Sequence, residues 1–266
     1  MANNSPRVSI ITPTWNCASF LKETIKSVQS QTYTNWEMLI QDDCSNDDTA
    51  LCVKEFADAD PRIKYARNSV NSGAARTRNN ALSRATGQFV AFLDSDDLWM
   101  PTKLEKQLRF MEGNDYAFSY TNYYEIDENG NFLGNVVTGP QIITRNKMLA
   151  YCWPGCLTVM YDASKIGLVQ IGDIKNNNDY AMWLKISTKS KCYLLDEPLA
   201  KYRRDRKGSI STQRLGTLIK WHYKLFHESE GKPWLSSIIH TCVNLLCGLY
   251  KKLVFVKHVS VVGESS

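Results

Sequence analysis

Three carboxylates, Asp94, Asp96 and Asp97, follow directly on an apolar run, Phe89 to Leu93, within the stretch QFVAFLDSDDLW (residues 88–99). Such a run, lacking helical periodicity, reads as a buried strand that delivers acids to a sheet edge. In open α/β sheets ligands sit beyond the carboxyl ends of the strands, so these acids are candidates to hold a hard cation or to handle phosphate. A surface turn whose acids cap the next helix would look the same in isolation. Two further positions offer related chemistry. Asp43, in the acidic turn DDCSNDD (residues 42–48), could accept a hydrogen bond from a base or ribose, and Arg76, opening a helix after Gly73, suits an anion. Taken singly, Asp43 reads equally as a turn acid and Arg76 as a surface arginine.

Elements must hold these groups in place. Val8 to Thr12 reads as a strand, Thr14 to Asn16 as a turn, and Ala18 to Ser30 as a helix with Phe20, Leu21, Ile25 and Val28 at helical spacing. Trp36 to Gln41 is a second strand, and strand, helix and strand make a βαβ unit with parallel pairing. Helix Thr49 to Ala57, strand Ile63 to Ala66 and a helix from NSGAARTRNNAL to Ala85 repeat the pattern, giving four parallel strands by residue 93. Met100-Pro101 starts a helix through about Met111, with proline in a favourable first turn. Tyr116 to Ile126 and Asn131 to Val137 flank Asp127-Glu128-Asn129-Gly130, a hairpin signal for an antiparallel part. No G-x-G-x-x-G turn follows the first strand, which weakens a dinucleotide-binding reading.

Composition bounds the partners. With 43% hydrophobic and 22% charged residues, the 266-residue chain reads as an ordinary folded protein, not a disordered one. Thirty-two basic against 27 acidic residues give a net charge of +5, too small and dispersed to argue nucleic-acid binding; a phosphate-bearing ligand or an anionic membrane surface suits it. Eight cysteines show no C-x-x-C spacing, and no histidine stands near Cys152 and Cys156 to complete a zinc site. Reduced thiols, with no signal-peptide architecture in MANNSPRVSIITPTWN, place the protein in the cytoplasm.

Several stretches together resemble a known family. VSIITPTWNCASFLKETIKSVQSQTYTNWEMLIQDDCSNDDT, NSGAARTRNNAL and ATGQFVAFLDSDDLWMPTKLEKQL resemble, in order, the nucleotide-binding half of the inverting GT-A glycosyltransferases of family 2, as found in bacterial surface-polysaccharide assembly. The resemblance implies an α/β, Rossmann-like, mostly parallel sheet flanked by helices. It also implies a UDP-sugar donor carrying a hexose or N-acetylhexosamine, and Mn2+ or Mg2+ held through an Asp-x-Asp motif. Carried over by position, it puts Pro13, Thr14 and Asn16 beside the nucleoside, Asp43 on the base edge, and Gly73 with Arg76 along the nucleotide. Asp94 and Asp96 match the two acids, Asp96 for direct metal contact, with Ser95 between them in the donor site. NNNDYAMWLK (residues 176–185) resembles the family's Glu-Asp-Tyr-x-x-Trp-Leu motif, so Asp179 takes the role of general base; a helix cap is its structural alternative. Asn178 stands where an acid is usual. The segment through Arg203 resembles a Tyr-Arg-x-His-x-x-Ser element that closes on the diphosphate, with Arg203 as a donor contact. Asp205 replaces the histidine as a further metal ligand, and Ser209 or Ser211 supplies the hydroxyl. In the acceptor half, Tyr123, Tyr124, Trp153 and Cys156 could line a sugar pocket or belong to the core.

The expected organisation is a catalytic domain, 1–214, split into a nucleotide-sugar part, 1–110, and an acceptor part, 111–214, followed by a helical extension, 215–266. In the extension Leu218 to Phe226 reads helical. After Gly231-Lys232-Pro233 a second helix carries Leu235, Ile238, Ile239, Cys242, Leu245, Leu246, Leu249 and Leu253 at amphipathic spacing. His240, Thr241 and Asn244 interrupt it too often for a bilayer span; packing on the protein, homo-oligomer formation and peripheral membrane contact stay open. The resulting expectation is transfer to a sugar hydroxyl of a lipid-diphosphate-linked oligosaccharide, in O-antigen (lipopolysaccharide) or capsule biosynthesis. Two other classes compete: an aspartate-nucleophile phosphohydrolase, disfavoured because three strands precede the acids, and a non-catalytic sugar-nucleotide or glycan-binding module.

Overall fold

The computed structural model describes residues 5–172, 174–204 and 215–259. Asp205, Ser209 and Ser211 lie outside the described residues. The first half runs β1 (Val8–Thr14), α1 (Ala18–Gln29), β2 (Trp36–Asp42), α2 (Thr49–Ala59), β3 (Ile63–Arg67), α3 (Ala74–Leu82), β4 (Phe89–Phe92), β5 (Leu98–Trp99) and α4 (Lys103–Gly113). The second half adds β6 (Phe118–Ile126), β7 (Phe132–Val137), β8 (Ile142–Ile143), α5 (Arg145–Ala150), β9 (Met160–Asp162), α6 (Ala163–Ile166), α7 (Asn178–Ile186) and β10 (Cys192–Arg203).

The four strands read from the sequence are parallel, in the order β3-β2-β1-β4. No residue from Phe89 to Leu93 is more than 2% exposed, because β4 is covered on both faces, which is why its sequence does not alternate. Val8, Ile10, Met38, Ile40 and Ala91 pack on the side of α1 and α4; Ile11, Leu39, Val90 and Phe92 pack on the side of α3 and α7. β9 joins β4 antiparallel, β6 joins β9, and the β6–β7 hairpin turns through Gly130 at φ 86°. β10 lies parallel to β6 and antiparallel to β5 and β8. Gly87, at the entrance to β4, admits no side chain: a Cβ there would lie 2.6 Å from the Ser9 amide nitrogen.

Two of the boundaries that differ from expectation have a clear physical cause. α3 ends at Leu82, because the amides of Arg84 and Ala85 turn back onto the carbonyls of Ala81 and Leu82. The helix expected at Met100-Pro101 starts at Lys103. Leu98 and Trp99 instead pair with β10, and the Met100 amide donates to the Leu199 carbonyl at 2.9 Å. That extended path fits a residue preceding proline and fastens the acidic turn to the sheet.

The C-terminal segment comprises α8 (Leu215–Lys224), a π-helical turn, α9 (Trp234–Val254) and β11 (Val256–His258). β11 pairs antiparallel with β7, Leu225 and Phe226 are fully buried, and Arg145 at the start of α5 forms an ion pair with Glu230.

Candidate active site

The carboxyl ends of β1 and β2 are laced together. The Asp43 amide donates to the Thr14 carbonyl (2.8 Å), the Asn16 amide to Ser45 Oγ (2.9 Å), and the Asn46 amide to Asn16 Oδ1 (2.9 Å). Asn16 adopts φ 47°, a left-handed conformation that asparagine tolerates. The buried Asp43 carboxylate accepts from the amides of Ser72 (2.7 Å) and Gly73 (2.8 Å) and from Asn68 Nδ2 (2.9 Å). A carboxylate offers about four lone-pair sites, so Asp43 orders the loop into α3 and keeps about one site for a ligand. Gly73, at φ 82°, is required by that loop. Pro13 and Thr14 close the same strand end; Thr14 Oγ1 is buried with no hydrogen-bond partner among the described residues. Between Thr14 and Asn16, Trp15 stands 56% exposed.

At the end of β4, Asp94 is half-buried and its Oδ1 accepts from Arg78 Nη2 at 2.8 Å, with the Cys156 thiol 3.9 Å from the same oxygen. Arg78 is 4% exposed, and its Nε and Nη1 have no partner among the described residues. Burial alone would lower the Arg78 pKa, but Cys156, Asp94 and Asp179 outweigh it and raise the value, so the guanidinium stays charged. Donors buried in this way each cost about 1–3 kcal/mol unless a ligand satisfies them.

Asp179 is the second residue of α7. Burial pushes its carboxyl above the ordinary value; Arg78 and nearby amides pull it down in part, and Asp94 pushes it up again. The helix is seated on β4 by Trp183, whose ring meets Phe92 edge-on with centroids 4.9 Å apart. Strand end and helix start are thereby packed together, and Arg78 acts electrostatically on the acids of both.

Other groups of the acidic turn are tied into the protein. The Ser95 carbonyl accepts from Thr24 Oγ1 (3.0 Å) and the Cys17 thiol (3.4 Å), anchoring the turn to α1. Asp97 is buried, and burial followed by repulsion from Asp96 and Asp94 raises its pKa well above the ordinary value. Its Oδ1 accepts the Arg203 amide at 2.9 Å. Arg203 itself is 2% exposed and spent on the protein. Nε donates to the Asp96 carbonyl, Nη1 to the carbonyls of Asp127 and Glu128, and Nη2 to Glu23 at 2.7 Å. Arg203, expected as a donor contact, clamps the acidic turn to the β6–β7 turn and α1. The expected metal ligand Asp205 lies outside the described residues.

No group of three or more His, Cys, Asp or Glu side chains among the described residues could hold a metal by itself. Asp94 and Asp96 are two half-buried carboxylates, and ions such as Mg2+ bind through one or two carboxylates with phosphate oxygens and water completing the shell. The donor set fits a hard cation shared with a diphosphate.

The family model for Glycosyl transferase family 2 matches residues 9–164, from β1 to the start of α6. The chain belongs to glycosyl transferase family 2. Among family relatives, TuaG of Bacillus subtilis, a glycosyltransferase assigned to teichuronic acid biosynthesis, is 42% identical over 204 residues, covering 76% of this chain and 81% of TuaG. WfgD of Escherichia coli, a UDP-Glc:alpha-D-GlcNAc-diphosphoundecaprenol beta-1,3-glucosyltransferase, is 45% identical over 179 residues, covering 67% of this chain and 69% of WfgD. The fold matches that of the mannosyltransferase PcManGT from Pyrobaculum calidifontis, solved with GDP-Man and Mn2+, at a TM-score of 0.67 and 16% identity over 95% of this chain and 71% of that one. The protein is therefore a family 2 glycosyltransferase with the GT-A fold. Asp179 and the C-terminal helices lie beyond residues 9–164 matched by the family model.

Three residues of the site carry more than their sequence context suggested. Arg78, not singled out beside Arg76, shares the buried face of α3 with Ala75, Ala81 and Leu82, whereas Arg76 is exposed. That periodicity is present in the sequence and separates the two arginines. Asp97 differs from Asp94 and Asp96 only in burial, which residue type does not reveal. Of the four aromatic and thiol candidates, Trp153 is a core residue, its Nε1 donating to the Lys147 carbonyl at 2.9 Å, and Cys156 touches Asp94 and Arg78. Tyr124 packs on Phe132, and Tyr123 on Tyr202 beside Gly155.

Proposed function

We propose that this glycosyltransferase moves a hexose or N-acetylhexosamine from a UDP-sugar to a hydroxyl of a lipid-diphosphate-linked saccharide, with inversion, during assembly of a surface polysaccharide such as O-antigen or capsule. The observation that carries the reading is Arg78, a buried cation bound to Asp94 and facing Asp179 electrostatically, with two donors left for a ligand. The name of WfgD, with its UDP-Glc donor and diphosphoundecaprenol acceptor, supports the choice of both substrates.

Pro13, Thr14, Asn16 and Asp43 bind the nucleoside, with Trp15 offering a ring face beside them and Gly73 letting the backbone approach. Arg76, exposed on α3, adds positive charge on the nucleotide side. Asp94 and Asp96 hold Mn2+ or Mg2+, which when bound offsets the charge that develops on the departing diphosphate. Asp179 accepts the proton of the acceptor hydroxyl as its oxygen forms a bond to the anomeric carbon. The bond from that carbon to the UDP oxygen breaks on the opposite face, and its electron pair leaves with UDP. Burial, the largest influence, raises the Asp179 pKa and so strengthens it as a base. Work on a lipid-borne acceptor places the enzyme in the cytoplasm, peripheral to the inner face of the membrane.

The test is a donor screen with lipid-diphosphate saccharide acceptor and Mn2+ or Mg2+, with and without chelator, reading released UDP. Acceptor-dependent, chelator-sensitive release supports the reading. Binding of UDP-sugars without any turnover would instead mark a binding module.

A further inference from the structure

α9 is amphipathic with its faces reversed relative to the protein. Leu235, Ile239, Cys242, Leu246, Leu249 and Leu253 form a straight stripe at i, i+3, i+4 spacing, and all of them are exposed, Leu253 by 84%. The opposite face is polar or small and turned inward. Ser237, Thr241 and Asn244 are buried, Asn244 Nδ2 donates to the Tyr180 hydroxyl at 3.0 Å, and Gly248 lies against the Tyr151 ring. An apolar stripe of this length left to water is far more than the scattered exposed leucines of an ordinary surface.

The charge around the stripe selects its partner. From Gly231 to Val259 the chain carries Lys232, Lys251, Lys252 and Lys257 and neither Asp nor Glu. Lys251 is taken up by the Trp153 carbonyl, whereas Lys252 and Lys257 are exposed at one end and Lys232 stands beyond the other. A second copy laid on this face would bring like charges together at the helix ends in the antiparallel orientation and side by side in the parallel one. An anionic bilayer neutralises them in either case. Trp234 and Tyr250, both more than half exposed, add the amphipathic rings favoured at a membrane interface. No helix among the described residues is long and apolar enough to cross a membrane, so α9 lies along the surface and does not span it.

We infer that the outer face of α9 is a docking surface for an anionic phospholipid bilayer. The same helix holds the catalytic end of α7 through Asn244 and Tyr180, next to Asp179, so docking would present the base to saccharides carried at the membrane. That purpose, but not the surface itself, rests on the acceptor proposed above.

The test uses the full chain in flotation with vesicles of phosphatidylcholine alone or mixed equally with phosphatidylglycerol. The triple variant Leu246→Glu, Leu249→Glu, Leu253→Glu is run beside it. All three positions are exposed and outside the catalytic machinery, and circular dichroism and UDP binding check that the variant is folded. The wild type should float with the anionic vesicles, and the variant should lose binding by about tenfold or more, because apolar burial and charge act together. Wild-type protein that stays behind, or a folded variant that floats as well as wild type, overturns the inference. So does a wild-type dimer in sedimentation velocity that the variant abolishes, since the stripe is then covered by a second copy. Vesicle binding is read without turnover, so it fails or succeeds independently of the proposed reaction.

Discussion

Arg78 Nη2 and Asp94 Oδ1 lie 2.8 Å apart, joining the buried face of α3 to the acid that ends β4, and the same guanidinium is the main positive influence on Asp179. One residue thus bonds the acid at the strand end and acts electrostatically on the acid at the helix start. A permanently charged arginine with further donors to spare does this where a lysine would supply a single point charge.

Replacing this cation should move a pH profile. If Asp179 is the base it works as carboxylate, so activity falls as pH drops through its raised pKa; Arg78 lowers that pKa, and Arg78→Gln therefore shifts the acid limb of kcat/KM to higher pH. A loss of about 100-fold in kcat/KM near neutrality is expected, as for removal of one charge-stabilising donor. Superimposable acid limbs in wild type and variant would contradict the electrostatic link.

Arg203 should prove a matter of stability. Arg203→Met strips donors from the carbonyls of Asp96, Asp127 and Glu128 and leaves Glu23 unpaired, which should cost about 3 kcal/mol in urea unfolding. Donor affinity should follow only as far as folding does. Unchanged stability with collapsed UDP binding would restore the diphosphate contact that its sequence context implied.

Glu37 makes the protein acid-sensitive. Burial opposes its charge, but Lys64 at 2.6 Å, Ser9 at 2.7 Å and the amide and hydroxyl of Thr86 lower its pKa to about 2. A depressed carboxylate contributes stability that is fully present above its unfolded pKa, near 4.5, and is lost as pH falls towards 2. About 3 kcal/mol is the upper bound for that loss. Glu37→Gln should flatten the stability profile between those pH values, measured by denaturant titration at each pH.

Asn244 should matter to turnover although it lies in the C-terminal helix. Asn244→Ala removes the donor to Tyr180, whose hydroxyl also donates to the Met148 carbonyl at 2.7 Å, and so loosens the start of α7. The expected outcome is a several-fold fall in kcat per folded enzyme with donor KM held; a fall in kcat that only tracks the folded fraction measured by circular dichroism would point to a general loss of folding.

The parts of this molecule legible from sequence are those governed by local pattern. β1 to β4 announce themselves as apolar runs bounded by turns, and the Asp turn follows because a two-face-buried strand must end before charge can appear. Other features are set by tertiary contact. β5, β8 and β11 are too short to carry a pattern and exist only because β10 and β7 offer partners. Arg203 has the residue type of a phosphate ligand and the surroundings of a core clamp. α9 has a legible apolar stripe, but which side faces the protein is decided by tertiary contact: Asn244 reaches the Tyr180 hydroxyl, while Thr241 and Ser237 bond back onto carbonyls of their own segment and are small enough to be buried.

The most direct measurement is transfer by Asp179→Asn beside its UDP binding, with a UDP-sugar, a lipid-diphosphate saccharide and Mn2+. If Asp179 is the base, the variant binds UDP as wild type does and its turnover falls by about a thousandfold or more. Turnover close to wild type would contradict the account.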